Sequence, residues 1–335
     1  MAFRDRNDND SLENKGRFNI FSWMTRDGAG VEPGEEPVMK NPSVKNFFKL
    51  FGRKFNQIIT LNLMMIAGNF PIFFLFAMMT GYFSINTASP AYTLFAQLNG
   101  ALGSTPSAYS AALFGSYSIQ TPLTVLSTVD YVLIALSCLV LFTFGPVMVG
   151  SSYIMRNMVR QEPIFMKHDF FYAIKRNLKQ SVIFGIMDVA IIFFIIYDIF
   201  FFNLNFSQSM AMKMMFFAAI FIAILYFFMR MYIYIMMLTF DLSIFKLLKN
   251  ALIFTVLGIK RNACALIGTL AAVLLNFWLL VVYFPIGVIL PFIITLSFTM
   301  FISAYCAYPV ISKYMIEPYY GDDAISSEAA EESAE

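Results

Sequence analysis

The chain has 335 residues, of which 59% are hydrophobic and only 13% are charged, and its net charge is +2. A soluble domain is about a quarter charged, so a chain of this size has too few ionic groups to cover a water-facing surface. An ordinary soluble enzyme, a disordered polymer and a nucleic-acid module with a basic face are thereby excluded, and an all-α integral membrane protein is expected.

Residues 1–43 mix acids, bases, Asn, Gly and Pro and read as a disordered tail. Six apolar stretches follow, at about 58–80, 130–154, 181–202, 212–237, 263–284 and 287–309. Crossing about 30 Å of hydrocarbon as a helix takes roughly 20 residues, which each stretch supplies. The stretches are too long and too unalternating for barrel strands. Between the first two, residues 81–129 contain no charged residue and suit an exported loop. The membrane domain is placed at 44–310, and residues 311–335 read as an acidic tail.

The positive charges fix an expected orientation. Ten Lys and Arg precede the first stretch, six lie in 155–180 and four in 238–262, whereas 81–129, 203–211 and 285–286 have none. By the positive-inside rule both termini and both basic loops are expected in the cytoplasm.

Three basic segments before outgoing stretches look alike. Val44, Phe48, Phe51 and Phe55, then Met166, Phe170, Ile174 and Leu178, then Ile244, Phe245, Leu248 and Leu252 recur at helical spacing beside lysines and arginines. Such patterns fit amphipathic elbows at the headgroup boundary, basic side towards anionic lipid. Lys175-Arg176-Asn177 and Lys260-Arg261-Asn262 repeat the same basic pair and asparagine where the chain turns into the bilayer, and Lys249 adds to the third elbow. These residues are the candidate lipid or partner contacts. The pattern suggests three repeated elbow-plus-hairpin units; the alternative is that any basic helix entry looks this way.

The stretches Phe47-Phe48 to Leu61-Asn62-Leu63, Pro71-Ile72, Phe144-Gly145-Pro146, Asp169-Phe170-Phe171, Lys175 to Gln180 and Leu247 to Ala251 resemble the YesL-like family of bacterial multi-pass membrane proteins, a domain of unknown function. The resemblance covers roughly residues 44–310 and implies a carbohydrate-uptake context, with subunits of an ATP-driven (ABC-type) sugar importer as expected partners. In that family the proline-isoleucine and glycine-proline elements lie close together. Here the uncharged loop 81–129 separates them and reads as an insertion.

Charged groups inside spans are costly and mark a function or a specific pair. Asp188 and Arg230 lie at matching depth, roughly 10 Å in at 1.5 Å per residue, on adjacent antiparallel stretches. They are read as a structural clamp, as part of a polar solute or proton path, or as no pair at all. Pro71 and Gly145-Pro146 are expected to break the first two spans, which makes them a candidate solute region lined by Asn62, Asn69 and Asn276. Packing alone is the competing explanation.

Catalysis is not expected. The chain has no phosphate-binding glycine loop, nucleophile elbow, HExxH or CxxC, and His168 is its single histidine. No cofactor, metal site or nucleic-acid partner is expected. The leading expectation is a non-enzymatic accessory or scaffold protein of the cytoplasmic membrane. The alternatives are a small-solute transporter and a membrane-stress or lipid-organising protein.

Overall fold

The computed structural model describes residues 42–90 and 120–318. The expected tails 1–41 and 319–335, and most of the 81–129 loop, lie outside the described residues. The chain divides into two compact units, Met1–Asn69 with Leu141–Glu335, and Phe70–Val140.

The first unit contains α1 (Val44–Arg53), α2 (Phe55–Gly68), α5 (Val140–Arg160), α6 (Met166–Arg176), α7 (Leu178–Leu204), α8 (Met210–Thr239), α9 (Ile244–Leu257), α10 (Ile259–Val282), α11 (Phe284–Leu290) and α12 (Leu296–Ile311), with π-helical segments at Pro291–Thr295 and Ser312–Ile316. The second unit contains α3 (Ile72–Met79), the strands β1 (Ile85–Pro90) and β2 (Gln120–Val125), and α4 (Thr128–Ser137). Among the described residues five helical stretches are long and apolar enough to cross a membrane, and a sixth is reached when the bent pair α2 and α3 counts as one span. The multi-pass helical class is therefore as expected. The helix after α12 runs on to Ile316, so the chain stays helical beyond the expected start of the tail at 311.

The elbow pattern recurs three times in the first unit. A short helix meets a long one at a single non-helical residue: Lys54 (φ −101, ψ 11), Asn177 (φ −113, ψ 18) and Gly258 (φ −91, ψ 13). All three lie in the sparsely allowed bridge region, which turns the chain while losing little of the helical hydrogen-bond ladder. The hinge positions correct one detail. Asn177 is itself a hinge, but in the third elbow the hinge is Gly258, and Asn262 lies one turn inside α10.

The elbows are not simply laid on lipid. Met166 and Phe170 of α6 are buried, as are Leu247, Ala251 and Phe254 of α9. Phe47 of α1 packs on Phe298, Phe301 and Tyr305, and the Tyr305 hydroxyl donates to the Ser43 carbonyl at 2.9 Å. The expected apolar face of α6 thus turns into protein, whereas Val44 and Phe48 of α1 remain exposed.

Packing is concentrated at the elbow end. The buried stretches of the returning helices are 145–152 and 154–159 in α5, 231–238 in α8 and 304–308 in α12. Further out, Phe193, Phe194, Ile196, Tyr197 and Phe200 of α7 expose more than half of their surface. At about 100° per residue these five span an arc of about 160°, one broad face of the helix. That face of the outer half of α7 is therefore left to lipid or to another chain.

In the second unit α3 packs against α4, and β1 pairs antiparallel with β2 from Ile85 opposite Val125 to Pro90 opposite Gln120. This ladder adds a short β element to a chain otherwise helical among its described residues. Ser127 and Asp130 form a capping box at the start of α4, and Ser84 donates to the same carboxylate at 3.0 Å. The buried Asp130 thereby ties the entry of β1 to the exit of β2.

Two expected helix breaks come out differently. At the first, α2 ends at Gly68 and α3 starts after Pro71, as the proline requires. At the second, Pro146 lies inside α5 without interrupting it, and the break falls at Cys138–Leu139. A membrane helix tolerates the one missing N–H at Pro146, and Gly145 is needed there for contact with α7.

Candidate functional site

The hairpin α7–α8 carries the most strongly coupled polar cluster. Tyr226, Arg230 and Tyr234 recur every four residues and so share one face of α8. All three converge on Asp188 of α7. Its carboxylate accepts from the Tyr226 hydroxyl at 2.6 Å, the Tyr234 hydroxyl at 2.5 Å and the Arg230 Nε at 2.9 and 3.0 Å. The Asp188 side chain is 0% exposed and that of Arg230 is 26% exposed. Phe144 and Tyr234 place their rings 5.4 and 5.5 Å from the guanidinium carbon.

The pair inferred from matching depth is therefore present, with two phenols that sequence reasoning missed. Their positions four residues either side of Arg230 were the available signal. A carboxylate without these donors would be a buried charge in a medium that solvates none. With them, its four lone-pair directions are met.

Asn62 and Asn276 do something other than line a shared opening. Pro291 lacks the N–H that would bond the Gly287 carbonyl one turn back, and the Asn276 amide donates to that carbonyl at 3.2 Å. Beyond the proline the helix widens into π geometry. There Asn62 donates to the carbonyls of Pro291 and Phe292 at 2.9 and 2.8 Å and accepts from the Ser297 N–H at 2.9 Å. Asn62 is fully buried. Two asparagines from two other helices thus repair one helix break, at a proline that sequence reasoning did not single out.

The remaining asparagines are caps. Asn69 and Asn177 each donate to the carbonyl four residues back, Met65 and Ala173, both at 3.1 Å. Asn262 bonds the Phe254 and Thr255 carbonyls at 3.3 and 3.0 Å and accepts from the Tyr232 hydroxyl at 2.6 Å, which closes the end of α9. The candidate solute residues are therefore distributed among separate local tasks. Asn62 and Asn276 serve the Pro291 break, Asn69 caps α2, Pro71 precedes α3 in the second unit, and Gly145-Pro146 packs within α5.

Of the elbow cations, Lys175, Arg176, Lys249 and Lys260 are exposed, and none forms an ion pair among the described residues. Arg156 behaves differently. It is buried at the end of α5 and donates to the Leu238 carbonyl and the Thr239 hydroxyl, both at 3.2 Å, so it ties α5 to the end of α8. His168 and Asp169 are 3.2 Å apart, but the carboxylate also accepts from the Phe165 N–H at 2.9 Å and so serves the start of α6. Among the described residues no group of three or more His, Cys, Asp or Glu is placed to hold a metal ion.

A family model described as a protein of unknown function, DUF624, matches residues 124–199. The matched segment runs from the end of β2 through α4, α5 and α6 into α7 and includes Asp188. No curated protein and no solved structure matches the chain.

Proposed function

We propose that the chain is a non-catalytic multi-pass protein of the bacterial cytoplasmic membrane, with both termini and the three elbows on the cytoplasmic side, and that it serves as an accessory or scaffold for a carbohydrate importer. The contrast between its two sets of polar groups carries this reading. Deep in the bundle, Asn62 and Asp188 are fully buried with their hydrogen bonds taken up by the protein itself. At the elbows, Lys175, Arg176, Lys249 and Lys260 stand exposed beside Phe171, Phe245 and Ile259, an arrangement that suits anionic lipid or an acidic partner surface.

The carbohydrate context rests on the resemblance to the YesL-like family. The test is purification of tagged protein from its native membrane in a gentle detergent, with identification of the chains that accompany it. Stoichiometric recovery of sugar-importer subunits, lost when Lys175, Arg176, Lys249 and Lys260 are changed to Glu, supports the proposal. Recovery of the wild-type protein alone overturns a stable complex.

A further inference from the structure

The Asp188 cluster leaves one chemical function open. A guanidinium has five N–H donors, and only Nε donates within the protein, to both oxygens of Asp188. The two Nη groups have no acceptor among the described residues, and a quarter of the side chain is uncovered. Arg230 stands nine residues before the end of α8, roughly 14 Å from Thr239 at 1.5 Å per residue. An arginine at such depth ordinarily swings its head to the interface. This one cannot, because its Nε is held against a carboxylate that Tyr226 and Tyr234 fix in turn. The acceptor must come to the arginine.

The geometry points to a binding site for an oxyanion, a phosphate or carboxylate group, at the paired Nη edge of Arg230. Two parallel N–H groups match two oxygens of such a group, which a lysine in the same place would not do. Two phenols share the charge of Asp188, so the arginine is not fully neutralised by its partner and its outer edge stays electropositive. The Phe144 and Tyr234 rings flank the guanidinium with low-dielectric surface, which strengthens each charge-assisted bond. The oxyanion has two possible sources, the phosphate of a membrane lipid drawn in beside α8 or a free acidic solute. The site goes beyond the scaffold reading and does not depend on it.

The experiment uses the full chain, delipidated in a phosphate-free maltoside detergent. Thermal unfolding is followed with added short-chain phosphatidylglycerol, with inorganic phosphate and with acetate. A lipid source predicts a concentration-dependent rise in melting temperature with phosphatidylglycerol only, and a solute source predicts a rise with phosphate or acetate as well. Arg230→Lys weakens the apparent affinity about tenfold or more, the loss of one bidentate contact. Tyr226→Phe leaves the ion pair in place but returns charge to Asp188, so it weakens binding several-fold, a change that a purely structural role for the pair would not produce. No shift of the wild-type protein with any probe overturns the site. So does a Tyr226→Phe protein whose affinity is unchanged or higher, and the wild-type arm decides even if Arg230→Lys does not fold.

Discussion

Gly145 of α5 and Gly185 of α7 meet backbone to backbone. A Cβ built on Gly185 would lie 2.5 Å from the Gly145 Cα, and one built on Gly145 would strike the Ser181 carbonyl. Neither neighbour is the end of a flexible side chain, so the two helices would have to separate. Gly185→Ala is expected to lower stability by about 3 kcal/mol, the upper part of the overpacking range, and Gly185→Leu is expected to abolish the monodisperse protein. Size-exclusion profiles and melting temperatures in detergent check both.

Removing either member of the Asp188–Arg230 pair leaves a charge without its partner, and such losses run to about 3–5 kcal/mol in buried sites. The double variant Asp188→Asn with Arg230→Gln is expected to lose less than the sum of the singles. A double-mutant cycle by thermal unfolding measures that coupling. Exchanging the charges, Asp188→Arg with Arg230→Asp, is expected to fail as a rescue. The Tyr226 and Tyr234 hydroxyls donate to position 188, and a guanidinium there has no oxygen to accept them. A rescue by the exchange would show that the phenols do not orient the pair.

Asn62→Leu keeps the volume of the side chain close but removes the bonds Asn62 makes to two carbonyls and one N–H around the Pro291–Thr295 segment. Each buried polar group left unmet costs about 1–3 kcal/mol. A loss of about 3 kcal/mol or more is expected, with amide exchange accelerated first at Phe292–Ser297. Protection that falls uniformly along α12 instead would count against Asn62 as a local repair.

Gly258 sits under the Tyr232 hydroxyl, which an added Cβ would meet, with the Phe254 carbonyl at 2.9 Å and the Asn262 Oδ1 at 3.2 Å. Gly258→Ala is therefore expected to be destabilising, and less so in a Tyr232→Phe background, where the most crowded atom is gone. Equal losses in the two backgrounds, read from melting temperatures, would place the strain in the hinge backbone instead.

Alkaline phosphatase fused after Ser207 is expected to be active, because 203–211 has no positive charge, and fusion after Glu162, beside Arg156 and Arg160, is expected to be inactive. The reverse pattern would invert the protein and place the elbows outside.

The class, the elbow pattern and the matching depth of Asp188 and Arg230 were legible in the sequence, which left open whether those two residues pair. All of these follow from local quantities: the length of an apolar run, the spacing of charges, and the depth of two residues on consecutive antiparallel spans. The tertiary structure alone decided which polar groups answer one another across helices. Pro291 frees the Gly287 carbonyl whatever surrounds it, but only the packing of α10 and α2 against that turn brings Asn276 to this carbonyl and Asn62 to those of Pro291 and Phe292. Gly145-Pro146 reads as a break from its composition, and it remains helical because α7 approaches so closely that only glycine fits. A proline's missing donor is written in the chain, whereas the side chains that bond the backbone around the break depend on packing, one of them 230 positions away.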